Sequence, residues 1–201
     1  EAYDVARVKR VKGKPLRVGV GLARPTEMVL PAEDTTAFGH HRLLGFWAEV
    51  VKGLEQAGHV PVLFTNGAAE DELFLSEVVA YLKSQKISGF DVLPRPTLPR
   101  TLVMHIAGVH ALVAFRLHAN IVGYALEVPT VPLVWDGKVR AFAELTGRGA
   151  YCLPASTTPG KVLAMLEKAL ATPVDAAHLK QLQQDTLNDA GAMLGLLEGV
   201  A

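Results

Sequence analysis

Two polar side chains stand where an apolar run ends. They are Arg116 and His118 in Phe115-Arg116-Leu117-His118-Ala119-Asn120, directly after Val109-His110-Ala111-Leu112-Val113-Ala114. A nearly unbroken apolar run of this length is expected of a strand buried on both faces of a parallel sheet. Alternate residues of a strand point to the same side. If extended geometry persists to the end of the run, Arg116 and His118 project together into the crevice beyond the carboxyl edge, where open α/β sheets bind ligands. Arginine grips an anion with a planar fork of donors. The chemistry expected of the pair is the handling of an anion.

Two further cations fall at equivalent places: Arg24, after Leu16-Arg17-Val18-Gly19-Val20-Gly21-Leu22, and Lys138, after Val131-Pro132-Leu133-Val134-Trp135 and the Asp136-Gly137 turn. Four such groups on one edge repel one another unless an anion lies between them. Helices expected to start near His118 and Lys138 would aim backbone N–H groups and positive dipole ends at the same place. Against this stands the plainer reading that a single strand-end arginine is a surface residue and a lone histidine a structural one, which is the reading adopted for His105, His110 and His178. Glu70, Asp71 and Glu72 at a helix start read as capping charges rather than catalytic groups. His40 and His41 are adjacent, not spaced as a helical pair, and the chain has a single cysteine, so no metal site is expected. A nucleophile elbow and a phosphate-binding glycine loop are both absent, and Gly19 and Gly21 lie inside a strand without completing G-x-G-x-x-G.

The elements that must position these groups alternate along the chain. At 201 residues, half of them apolar and a fifth charged, the chain can bury a large core and is neither disordered in composition nor long enough in any apolar run to span a bilayer. Twenty basic residues balance twenty acidic ones, so overall charge points to no nucleic-acid partner and any anion site must be local. Cys152, in Ala150-Tyr151-Cys152-Leu153, is expected on a buried strand as a packed thiol, in a reducing, cytoplasmic setting. The chain opens on Glu1 with no signal-peptide pattern and is expected to be a processed or excised piece. Residues 1–15, rich in basic side chains at Arg7, Lys9, Arg10, Lys12 and Lys14, read as a solvated linker or extension; an acidic partner is the other reading.

Residues 16–201 read as one α/β domain. Strands are expected at 16–22, 60–64, 90–93, 109–115, 131–134 and 150–153, with helices at about 42–57, 70–84, 100–107, 118–126, after Lys138, 158–171 and 175–197. Residues 25–39 carry Pro25, Pro31 and Gly39 without periodicity and read as a loop long enough to be functional. Pro132 would remove a ladder bond and argues against a central place for its strand. Thr158-Pro159 reads as a helix opening with threonine as cap. Strand alternating with helix implies a doubly wound, mostly parallel sheet in a Rossmann-like three-layer αβα fold.

The ordered set Arg116-Leu117-His118-Ala119, then Val128-Pro129, then Trp135-Asp136-Gly137-Lys138-Val139 with Phe142, together with the early strand ending at Arg24, resembles the carboxyl-terminal half of the polysaccharide pyruvyl transferase family. Two residues depart from its usual pattern: Glu127 stands where glycine is common, which would alter the helix end, and Trp135 replaces tyrosine, which would change acceptor contacts. The resemblance implies one half of a two-domain, glycosyltransferase-like fold, with a preceding amino-terminal α/β domain as its partner. It implies transfer of a pyruvyl group from phosphoenolpyruvate, with no cofactor, to sugar hydroxyls of a surface or exopolysaccharide precursor. Arg24, Arg116, Leu117 and Lys138 would bind the donor, and His118 would act as general acid, with Arg116 as clamp. The alternatives are a sugar-nucleotide-dependent glycosyltransferase domain and a non-catalytic carbohydrate- or partner-binding module.

Overall fold

Short runs of β-branched and leucine side chains bounded by glycine and proline supply the strands, and amphipathic runs between them supply the helices. The computed structural model describes residues 5–24 and 40–198; the loop expected over 25–39 lies outside these. The order is β1 (Arg17–Gly21), α1 (His40–Gln56), β2 (Val60–Phe64), α2 (Ala69–Ser84), β3 (Asp91–Val92), α3 (Pro99–Ala107), β4 (Ala111–Ala114), α4 (Leu117–Ala125), β5 (Thr130–Val134), α5 (Gly137–Leu145), β6 (Leu153–Pro154), α6 (Pro159–Ala171) and α7 (Ala176–Glu198).

The six strands form one parallel sheet in the order β3-β2-β1-β4-β5-β6. This is the doubly wound arrangement expected, and its strand order reverses between β1 and β4, the switch point beside which such sheets bind ligands. Helices α1, α2 and α6 cover one face, over a core that includes Val18, Val20, Trp47, Val51, Phe74, Val78 and Leu166. Helices α3 and α4 cover the other, over Val62, Phe64, Ile106, Leu112 and Ala119, with α5 beside α4. Gly21 faces this second layer. A Cβ there would lie 2.9 Å from the Cβ of Ala114, so only glycine lets β1 and β4 run together under Phe64.

Pro132 does sit on an interior strand, and backbone alternation explains how. Leu112 N donates to Pro129 O on the β4 side, while Val134 O accepts from Ala155 N on the β6 side. Even-numbered residues of β5 therefore face β6, whose pairing begins only at Leu133, so the missing N–H of Pro132 falls before the ladder starts. The strand expected at 150–153 is instead a 3₁₀ turn, Gly149–Tyr151, followed by a two-residue β6. Cys152 lies between them, half-buried, and burial pushes its thiol up from the ordinary value, which suits a packed, unreactive sulfur.

Helix α6 begins at Pro159 with Thr158 in the cap position, but the threonine side chain makes no capping bond. Asp175 caps α7 instead, accepting from Ala177 N at 2.9 Å and His178 N at 3.1 Å. The first turns of α7 dock through Leu179 on Tyr124 and Val174. Residues 5–15 run mostly exposed along the amino edge of the sheet, tied at Val8 N to Ala107 O (2.8 Å). Among the described residues, no helix is long and apolar enough to cross a membrane.

Candidate functional site

Helix α4 starts one residue after Arg116, so the two-residue spacing does not act as strand spacing. Arg116 is the N-cap, still extended (φ −72°, ψ 128°), while His118 is already helical. The expectation that both side chains enter one crevice is thereby corrected: they part across the sheet edge. Asn120, one turn into α4, fixes the turn by donating to Ala114 O (3.3 Å) and Arg116 O (3.0 Å). Trp135, at the end of β5, donates its indole N–H to Phe115 O at 2.9 Å. The neighbouring turns after β4 and β5 are therefore joined directly. The tryptophan expected to touch an acceptor spends its one donor on this joint.

Arg116 turns toward the α1/α2 layer and forms a fork with Asp71, Nε donating to Oδ2 at 3.0 Å and Nη2 to Oδ1 at 2.8 Å. Asp71 is fully buried and also accepts from Arg24 N at 2.8 Å. One carboxylate thus ties the ends of β1 and β4 to the start of α2, across the switch point. The capping role expected for Asp71 is corrected accordingly, and so is the expectation that Arg116 must await an outside anion. Its counter-charge is internal. The helical phase of α2 was the available signal: Asp71, Phe74, Leu75, Val78 and Leu82 share the inward face.

His118 is exposed and turns the other way, lining a cavity of about 620 Å³ with Asn66, Gly67, Pro96, Leu98 and Leu102. The β2-α2 turn that roofs it is rigid. Gly67 has φ +94°, its N–H donates to Thr65 Oγ1 at 2.9 Å, and a Cβ there would sit 2.2 Å from Pro96 O. Thr65 in turn bonds Glu72. Helices α2, α3 and α4 all begin at this edge, and none of their N-cap residues makes a side-chain capping bond, which leaves their first N–H groups without an intrahelical acceptor.

Across the β5 end, Asp136 caps α5 by accepting from Val139 N at 2.9 Å, and Lys138 stands exposed in the first turn. Arg24 is exposed, with its backbone rather than its side chain bound to Asp71. Leu117 is half-buried at the first helical position of α4. The structure therefore joins Arg24, Asp71 and Arg116, and leaves His118 and Lys138 on flanking turns. No family model and no curated protein matches the chain. One solved structure resembles it, that of the K341M mutant of the Thermobaculum terrenum O-GlcNAc transferase. The likeness covers 92% of this chain and 33% of that one, at 17% identity and a TM-score of 0.50. It shows a shared Rossmann-like α/β fold, and the present chain spans about a third of that protein's length.

The remaining histidines are structural or peripheral. His110 accepts from Arg17 N at 2.9 Å, and His178 lies 2.9 Å from Leu145 O. His105 is half-buried; burial pushes its pKa below 6.5, and the charge of Glu72 opposes this. His40 begins α1, with Nε2 3.1 Å from Glu77 and its ring edge-on to Phe74, while His41 is exposed. No group of three or more potential metal ligands is clustered among the described residues.

Proposed function

We propose that this chain is the donor-binding half of a pyruvyl transferase, taking phosphoenolpyruvate at the carboxyl edge beside the switch point and delivering its pyruvyl group to a sugar diol. The observation that carries the reading is the joint between Trp135 and Phe115. It brings the Arg116-Leu117-His118-Ala119 segment and the Trp135-Asp136-Gly137-Lys138-Val139 segment onto adjacent turns at the carboxyl edge of the sheet. Arg24, Lys138 and the amino end of α4, which has no side-chain cap, would attract the donor's phosphate and carboxylate. Arg116, oriented by Asp71, would present its guanidinium plane in one fixed direction.

In this reading His118 delivers a proton to the methylene carbon of the enol, and one sugar hydroxyl adds to the resulting cationic carbon. The second hydroxyl then displaces phosphate. Two C–O bonds form and one breaks. Of the two hydroxyl protons, one replaces that given to the methylene and the other leaves with phosphate, so the histidine is restored. A preceding α/β domain would close the acceptor side.

A second reading is a sugar-nucleotide-dependent glycosyltransferase domain. What favours it is the strand order, which is that of mononucleotide-binding halves, and the cavity of about 620 Å³ beside the end of β2. Isothermal titration separates the two. Phosphoenolpyruvate should bind the chain and be displaced by inorganic phosphate, with Lys138→Gln weakening it and His118→Ala leaving most of the affinity while ending turnover in a two-domain protein. Saturable binding of a nucleotide diphosphate, with none of phosphoenolpyruvate, would overturn the first reading in favour of the second.

A further inference from the structure

The zero net charge of the chain hides a strong asymmetry. Six of its twenty basic residues lie within residues 7–17, which contain no acid, leaving fourteen basic against twenty acidic residues elsewhere. This segment is not a loose tether. Val8 N donates to Ala107 O, His110 Nε2 approaches Lys9 O at 3.4 Å, and a turn closes by Lys14 N donating to Val11 O at 3.1 Å, with Gly13 at φ +80°. The turn and His59 enclose a cradle of about 400 Å³ lined by Arg10, Val11, Lys12, Lys14 and Leu16.

Two of the six cations have partners, Arg7 with Glu127 at 3.7 Å and Arg17 with Asp91 at 2.7 Å. Lys9, Arg10, Lys12 and Lys14 make no ion pair among the described residues, and His59 Nδ1, shielded from water, has no hydrogen-bond partner among them. At the tip of the turn, between Arg10 and Lys12, Val11 is 53% exposed. Unpaired cations around an exposed apolar side chain suit a surface that offers phosphates above and hydrocarbon beneath. They suit nucleic acid less well, because residues 5–17 carry no aromatic ring on which a base would stack.

We propose that this turn docks on an anionic membrane, its cradle receiving a lipid headgroup phosphate while Val11 enters the interface. The cradle precedes β1 and the candidate site follows it, and a five-residue strand separates them by about 17 Å. Docking leaves the carboxyl edge open to solvent, and the proposal stands whichever donor that edge takes.

Flotation of the 201-residue chain with vesicles tests it. The chain should float with phosphatidylcholine vesicles containing phosphatidylglycerol and not with phosphatidylcholine alone, and salt should release it. Each of Arg10→Gln, Lys12→Gln and Lys14→Gln should weaken partitioning about fivefold. Val11→Ser should weaken it at unchanged charge, and all four variants should melt like the parent. Equal flotation with both vesicle types, or flotation unchanged in the triple glutamine variant, overturns the proposal. So does saturable binding of inorganic phosphate without flotation, or tighter binding of a single-stranded polynucleotide at the same salt.

Discussion

At the carboxyl edge of the sheet, Arg116 keeps 19% of its side chain exposed and is gripped by a carboxylate with none. At the amino edge, Lys9, Arg10, Lys12 and Lys14 stand in water, and the nearby pair of Arg7 with Glu127 is loose at 3.7 Å with side chains 37% and 47% exposed. The same type of charge is therefore built into the fold at one end and held outside it at the other. A buried ion needs its partner, because desolvation penalises it heavily when alone. An exposed one needs none and gains little from having one. Asp71 also offsets the charge of Arg116, so the long-range pull on an anionic ligand falls to Arg24, Lys138 and the helix amino ends, with Arg116 supplying direction.

The largest effect should come from breaking the internal pair. Asp71→Asn keeps the shape, but removes the carboxylate charge that the Arg116 guanidinium forks and weakens the bond to Arg24 N. Equilibrium unfolding in urea should show a loss of about 3–5 kcal/mol, the usual cost of unpairing a buried charge. Arg116→Met strands Asp71 and should cost a similar amount, while the double variant Asp71→Leu/Arg116→Met should recover much of it. A loss below about 1 kcal/mol in both single variants would place this pair with ordinary surface pairs and dissolve the contrast between the edges.

A smaller and opposite effect is expected at Glu127, which follows the carboxyl end of α4. Its φ is +54°, the left-handed position that closes a helix, with Glu127 N bonded to Tyr124 O and Val128 N to Gly123 O. Glycine adopts that conformation freely, whereas a side chain is strained by about 1–2 kcal/mol. Glu127→Gly should therefore raise stability by about 1 kcal/mol in the same urea measurement, despite losing the pair with Arg7. Lower stability would mean that the exposed pair outweighs the backbone strain.

Much of this was legible in the sequence, and the failures have physical causes. Residues 60–64, with four of five side chains buried, announce β2 by composition, and strand alternating with helix gives the parallel sheet. For Asp71 two signals conflict: its place in the first turn suggests capping, whereas its place in the helical phase puts it inside, and the phase prevails. The apolar run before Arg116 and His118 suggests strand spacing, but the point where the strand yields to a helix is set by Asn120 and Trp135, which bond to its carbonyls from four and twenty residues away. Glu127, expected to alter the helix end, leaves its form unchanged and takes up the left-handed φ of +54° in place of glycine. The cavity beside His118 could not be foreseen, since Gly67 and Pro96 meet only once β2 and β3 are paired.

The smallest effect should fall on the amino-edge cations, and its smallness carries meaning. Lys9, Arg10, Lys12 and Lys14 have no ion-pair partner among the described residues and little area to uncover. Removing any one also relieves repulsion from the other three, which lie within six residues of chain. Replacing Lys12 or Lys14 by glutamine should leave the urea midpoint within about 0.5 kcal/mol of the parent, and the small change should be toward higher stability at low salt, where screening is weakest. A stability loss of about 2 kcal/mol would mean that these lysines hold the segment against the sheet, and the amino edge would then use charge as the carboxyl edge does. A gain that vanishes with added salt would mean that the fold tolerates like charges it does not need, which is the condition expected of groups retained for an outside partner.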